Sequence, residues 1–164
     1  MKKWEAIFNK ELWGYVVRFS LIYTVIYIIT AVAFLKFQGA LPADERIALD
    51  FFKPYQIPNL LVIFNQIMKG VLIALILYPF YEKMVKGKHG WVILFGTLFG
   101  LGILGSVEPK PGSIEGLYYT KTTLGEHLIV LIAGAVQTYA FTRLFLLWEK
   151  KWRKKFNQGG LSHE

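Results

Sequence analysis

Apolar residues fall into four long runs separated by short polar stretches, at residues 19–37, 60–80, 91–107 and 126–148. Each run is close to the ~20 residues that a helix needs to cross a hydrocarbon core about 30 Å thick. Lipid offers no water to unpaired backbone groups, so runs of this kind are predicted to be helices. The pattern predicts an all-α, polytopic integral membrane four-helix bundle. It forms one transmembrane domain over residues 1–156, followed by a disordered tail over 157–164.

The stretches between the runs carry patterns of their own. In residues 2–12, Trp4, Ile7, Phe8 and Leu12 share one helical face, with Lys2, Lys3 and Lys10 mostly opposite. That spacing suits either an interfacial helix or a first turn leading into the first run. In the first connecting loop, Pro42, Asp44 and Glu45 suit a helix start, and Ile47, Ala48, Phe51 and Phe52 give it an apolar face. Pro54 and Pro58 stop this short interfacial helix, and Asn59 is placed to cap the second run. The second connecting loop holds Pro109, Pro111, Gly112 and Gly116 among Glu108, Glu115, Tyr118 and Tyr119. Fixed backbone beside apolar residues predicts an ordered outer cap on the bundle.

The charges then set an orientation. A net charge of +8 would suggest nucleic acid in a soluble protein, but here the basic residues alternate with the runs. Lys2, Lys3, Lys10 and Arg18 precede the first run, and Lys83, Lys86 and Lys88 lie between the second and third. Arg143, Lys150, Lys151, Arg153, Lys154 and Lys155 sit at or beyond the end of the fourth. By the positive-inside rule both termini are cytoplasmic, in a cell or inner membrane. Trp148, Trp152 and Phe156 form a stripe at helical spacing among the basic residues of the tail. This segment is expected at the headgroup level, where Lys150, Lys151, Arg153, Lys154 and Lys155 attract anionic inner-leaflet lipid. No nucleic-acid partner is expected.

Chemistry is bounded mostly by what is absent from the sequence. With no cysteine, thiol nucleophiles, thiolate metal sites and disulfide exchange are excluded. Of the three histidines, His89 lies between the second and third runs and His163 in the tail, so one chain cannot ligate a haem through two histidines inside the bundle. Zinc on His127, Glu126, Glu115 and Glu108 has no ligand spacing behind it, and no metal or cofactor is expected. Glu5, Lys10, Glu11 and Arg18 interrupt the place of a signal-peptide core, so the first run reads as an uncleaved anchor.

Polar residues at membrane depth are the candidates for function. Asn65, Gln66 and Lys69 form a patch half-way along the second run, and the lysine is expected to face the bundle interior with a partner. Gln137 and Thr138 lie at similar depth, and Glu126 and His127 are candidates for charge compensation, with Glu108 and Glu115 as alternatives. Ser20, Tyr23, Thr24, Tyr27 and Thr30 line one side of the first run. In the third run, the Gly96-xxx-Gly100 spacing permits close helix packing, within the bundle or across a homo-oligomer, with Gly134 as a matching surface. Pro79 marks a kink or an exit from the second run.

Three functions fit this pattern. One is a transport, channel-like or small-ligand-binding protein with a polar interior around Lys69, including Tyr23, Tyr27 and Gln137. The second is a non-catalytic accessory or scaffold subunit of a larger membrane complex. The third is a lipid-active enzyme at the outer interface, working through Glu108, Glu115, Glu126 and His127.

Overall fold

The computed structural model describes residues 10–42, 46, 60–106 and 109–160, and the side chains of all of these except residue 10 and residues 155–160. Most of the interfacial segment at residues 2–12, the short helix at 44–52, the Asn59 cap, Glu108 and residues 161–164 lie outside the described residues. Among the described residues six α-helices follow in order: α1 (Lys10–Ala40), α2 (Leu60–Leu77), α3 (Tyr81–Lys86), α4 (Gly90–Phe99), α5 (Ile114–Tyr119) and α6 (Leu124–Gly160). Among the described residues there is no strand.

Three helical segments among the described residues are long and apolar enough to cross a membrane: Glu11–Ala40, Leu60–Lys86 and Leu124–Lys154. The second is interrupted near its end by a 3₁₀ turn at Tyr78–Phe80. Pro79 lies in that turn and has no N–H to continue the α ladder, so α2 stops and α3 restarts. The third apolar run forms a shorter helix, Gly90–Leu104, than the span expected at 91–107. Its last five residues, Gly100–Leu104, widen into a π turn in which the Gly105 N–H donates to the Gly100 carbonyl at 2.7 Å. Three glycines at positions 100, 102 and 105 leave that ladder without side chains to hold the tighter pitch.

The long helices are ordered α2–α1–α6–α4. Helix α1 packs on both α2 and α6, α4 packs on α6, and no extensive contact joins α2 to α4. The arrangement therefore differs from a closed bundle in which every helix has two neighbours. Gly70 and Ala74 explain the tightest pairing. A Cβ on Gly70 would lie 2.9 Å from Ser20 Cα, so only glycine lets α2 approach α1 so closely.

The core gathers where the N-terminal part of α1 meets the C-terminal parts of α2 and α6. Phe19 lies edge-on to Phe141 and Phe145 at 4.8 and 5.1 Å, and Tyr15 to Tyr81 at 5.1 Å. Leu94 of α4 and Met84 and Val85 of α3 close it from below. Lipid is as apolar as these side chains, so their close packing rather than transfer from water holds this end together. It is called the basic end here; the opposite end, with residues 109–123, is the cap end. Helix α6 runs on to Gly160, past the expected start of a disordered tail at 157; no glycine or proline lies between Gly134 and Gly159.

Candidate functional site

The most constrained polar group is a buried ion pair at the basic end. Arg18 of α1 is 9% exposed and Glu149 of α6 only 1%. The guanidinium donates from Nε to Glu149 Oε2 and from Nη2 to Oε1, both at 2.7 Å. Tyr81, the first residue of α3, donates its hydroxyl to Oε1 at 2.5 Å. One carboxylate thus ties three helices together, with both its oxygens occupied.

The surroundings are built for that pair. A Cβ on Gly14 would lie 2.9 Å from Arg18 Nη1, so the glycine one turn away leaves room for the guanidinium. The Arg18 guanidinium carbon stands 4.9 Å from the centre of the Trp152 ring, and that of Arg153 stands 5.5 Å from the Tyr81 ring. Glu82 pairs with Lys86 and lies 3.9 Å from Arg153. The Tyr15 hydroxyl is buried here without a hydrogen-bond partner among the described residues. With its charge balanced and its acceptors filled, the cluster reads as a clamp rather than an acid–base centre.

This site does not stand out in the sequence, where Arg18 is one of the basic residues flanking the first run and Glu149 has no assigned role. The available signal is that Glu149 is the only acidic residue between Arg143 and Lys155. A lone carboxylate in a basic stretch wants a cation from elsewhere in the fold.

Lys69 does not face an interior. The buried stripe of α2 is Gly70, Ala74 and Leu77, and Lys69 lies ~100° around the helix from Gly70. Lys69 and Asn65 are exposed on this flank, and Gln66 is half-buried with Oε1 unpaired. Among the described residues, no hydrogen bond or ion pair reaches the Lys69 amine. Gln137 and Thr138 do not join it, because α6 meets α1 rather than α2. On α1, Tyr23 is half-buried against Phe141 at 5.8 Å, Tyr27 is half-buried, and Thr24 is buried with its hydroxyl unpaired.

At the cap end, residues 110–127 are joined by side-chain hydrogen bonds. Ser113 caps α5, its Oγ accepting from the Gly116 N–H at 3.0 Å and donating to the Lys110 carbonyl at 2.8 Å. Gly112 takes φ +89°, a conformation that favours glycine, and its N–H donates to His127 Nδ1 at 2.9 Å. The accepting Nδ1 leaves the ring proton on Nε2, which lies 3.3 Å from Thr120 Oγ1. His127 is therefore the post on which residues 110–120 are hung.

Glu126 works locally: its Oε2 accepts from the N–H and hydroxyl of Thr123 at 2.7 and 2.8 Å, a capping box at the start of α6. Glu115 is exposed in the first turn of α5. Glu126 and His127 are thus held in separate structural tasks, one capping α6 and the other holding the loop at Gly112.

The glycine motif is also resolved. A Cβ on Gly96 or Gly100 would meet nothing within 4 Å, whereas one on Gly134 would lie 2.8 Å from Ile103 Cδ1. Gly134 thus seats the π turn on α6, and the Gly96-xxx-Gly100 face stays open. In the tail, Lys150, Lys151 and Lys154 are exposed, Arg153 is half-buried, and the Lys155 backbone is helical. Comparison of the chain with protein-family models, with characterised proteins and with solved structures gives no match.

Proposed function

We propose that this chain is a non-catalytic subunit of a membrane assembly, joined to its partner helix through the Asn65–Lys69 flank of α2. The observation that carries this reading is Lys69 itself. It is the tenth of the 18 residues of α2, ~12 Å or more from either helix end, and it is exposed on the surface of the isolated chain. A lysine at that depth is costly in hydrocarbon and calls for a carboxylate, a carbonyl or a polar cavity on a neighbour. The open Gly96-xxx-Gly100 face of α4 adds a second surface suited to a close helix.

The same reading makes Gly90–Leu104 the fourth crossing. Helices α2 and α6 both run toward the basic end, so the chain between them has to return. At 1.5 Å per residue the segment is shorter than a ~30 Å core, and local bilayer thinning or the ordered cap would make up the difference. The alternation of basic residues then puts the basic end and both termini in the cytoplasm. Transport or small-ligand binding would belong to the assembly: Lys69, Asn65 and Gln66 would line a pathway only where a second chain closes over them.

The test is photo-crosslinking in the native membrane from two exposed positions of α2. Ile76 is two turns from Lys69 on the same flank, and Phe64 is on the other. A cross-linker at Ile76 is expected to capture one defined partner or a second copy, with Phe64 reaching only lipid, and the capture is expected to vanish in Lys69→Met. Capture from both positions alike, or from Ile76 undiminished in Lys69→Met, would overturn the proposal.

A further inference from the structure

Helices α1 and α6 leave a groove between them on the side turned away from α2 and α4. It has a volume of about 770 Å³ and is floored by Leu21, Val25, Leu144 and Leu147. This lies within the ~300–1,000 Å³ range of small-molecule sites. Its walls are apolar except at the basic end, where Trp148, Lys151 and Trp152 form the mouth. Both tryptophans are more than a third exposed.

The charge at that mouth is set by the clamp. Arg18 is neutralised by Glu149, and its guanidinium lies over the Trp152 ring. Lys151 is exposed and forms no ion pair among the described residues. One uncompensated ammonium therefore stands beside two indole rings at the end of a groove that runs ~12 Å along α6, from Leu144 to Trp152.

We infer that this groove is a binding site for a single anionic phospholipid of the leaflet at the basic end. One acyl chain lies along Val25 and Leu144, and the phosphate rests on Lys151 between Trp148 and Trp152. This goes beyond the general attraction of a basic tail, because it assigns one lipid to one place. An acyl chain gains little by leaving bulk lipid for an apolar groove, so the selectivity has to come from the headgroup. A single basic residue supplies about a fivefold preference for anionic over zwitterionic lipid. The site is separate from the Lys69 flank and does not depend on the partner proposed there.

Native mass spectrometry of the full-length protein, exchanged into an equimolar mixture of phosphatidylglycerol and phosphatidylcholine with identical chains, tests it. The expected result is one retained lipid per chain, enriched about fivefold in phosphatidylglycerol. Lys151→Gln is expected to equalise the two lipids, while Lys150→Gln, outside the groove, preserves the preference. Val25→Trp, which fills the trough, is expected to lose the retained lipid of either kind. Equal retention of both lipids by the unaltered protein would overturn the assignment, as would equal losses in Lys150→Gln and Lys151→Gln. Conversion of a dimer to a monomer by Val25→Trp would also overturn it, making the groove an interface between copies.

Discussion

Arg18 and Glu149, 131 residues apart in the chain, meet through two parallel hydrogen bonds of 2.7 Å inside the protein. The pair joins the first long helix to the last. Its charge-assisted geometry compensates the desolvation of both ions only while both are present. Glu149→Gln keeps the shape but leaves a guanidinium without a counter-ion, and is expected to cost ~3 kcal/mol or more of stability. The double variant Arg18→Met with Glu149→Leu is expected to recover most of that loss. Denaturation of the detergent-solubilised proteins, arranged as a double-mutant cycle, measures the coupling; additive losses would show that the two residues act independently.

Tyr81 adds a third donor to the same carboxylate, at 2.5 Å from Oε1. Tyr81→Phe removes one hydrogen bond to a charged acceptor that keeps its two bonds from Arg18. The expected cost is ~1.5–3 kcal/mol, smaller than that of Glu149→Gln. Tyr81→Phe combined with Glu149→Gln should cost little more than Glu149→Gln alone, as the hydroxyl then has no charge to serve.

Glycines at two places in the fold separate packing within the chain from packing between chains. Gly70 faces Ser20 Cα, where a Cβ would lie at 2.9 Å, whereas a Cβ on Gly96 meets nothing within 4 Å. Gly70→Leu is expected to drive α2 from α1 and to cost several kcal/mol, in the manner of an overpacked core. Gly96→Leu is expected to leave the melting temperature of the isolated chain within a degree or two while weakening any assembly that uses the α4 face. Melting curves and native mass measured on the same two variants decide this.

The helices were readable because apolar length is a local property: the runs at 60–80 and 126–148 correspond to Leu60–Lys86 and Leu124–Lys154. Which way each helix turns was not, because that depends on a neighbour. The Asn65–Gln66–Lys69 patch was recognisable as a patch, yet the packed side of α2 is marked by Gly70 and Ala74, small residues whose meaning is close approach. Reading those as the contact stripe places Lys69 on the flank. The Arg18–Glu149 clamp was hidden for another reason: nothing local distinguishes a basic residue that flanks a span from one that turns inward to meet a carboxylate at the far end of the sequence. Gly14, which makes room for the guanidinium, carries that information only once the pair is known.

The cap rests on His127, whose Nδ1 accepts from the Gly112 N–H at 2.9 Å. His127→Phe keeps a ring in the site but leaves that buried N–H without an acceptor. The expected result is faster amide exchange at Gly112 and Gly116, with ~1–3 kcal/mol less protection, and unchanged exchange around Phe141 and Phe145. Hydrogen exchange resolved by segment measures both regions in one experiment. An equal increase in both regions would show that the cap and the basic end are one cooperative unit.

Lys69 gives the prediction whose sign matters most. If the lysine were a structural staple inside the chain, removing it would strand a partner and cost ~3–5 kcal/mol. Its amine reaches no acceptor among the described residues, and α2 packs through Gly70, Ala74 and Leu77 instead. Lys69→Met therefore removes an uncompensated charge from the middle of an apolar helix. Insertion of the α2 segment is expected to improve by ~3 kcal/mol, as judged by the inserted fraction in a translocon assay. The melting temperature of the purified chain in detergent is expected to hold or rise. A fall in stability comparable to that of Glu149→Gln would mean that Lys69 has a partner in its own chain, and the α2 flank would lose its claim as the assembly surface.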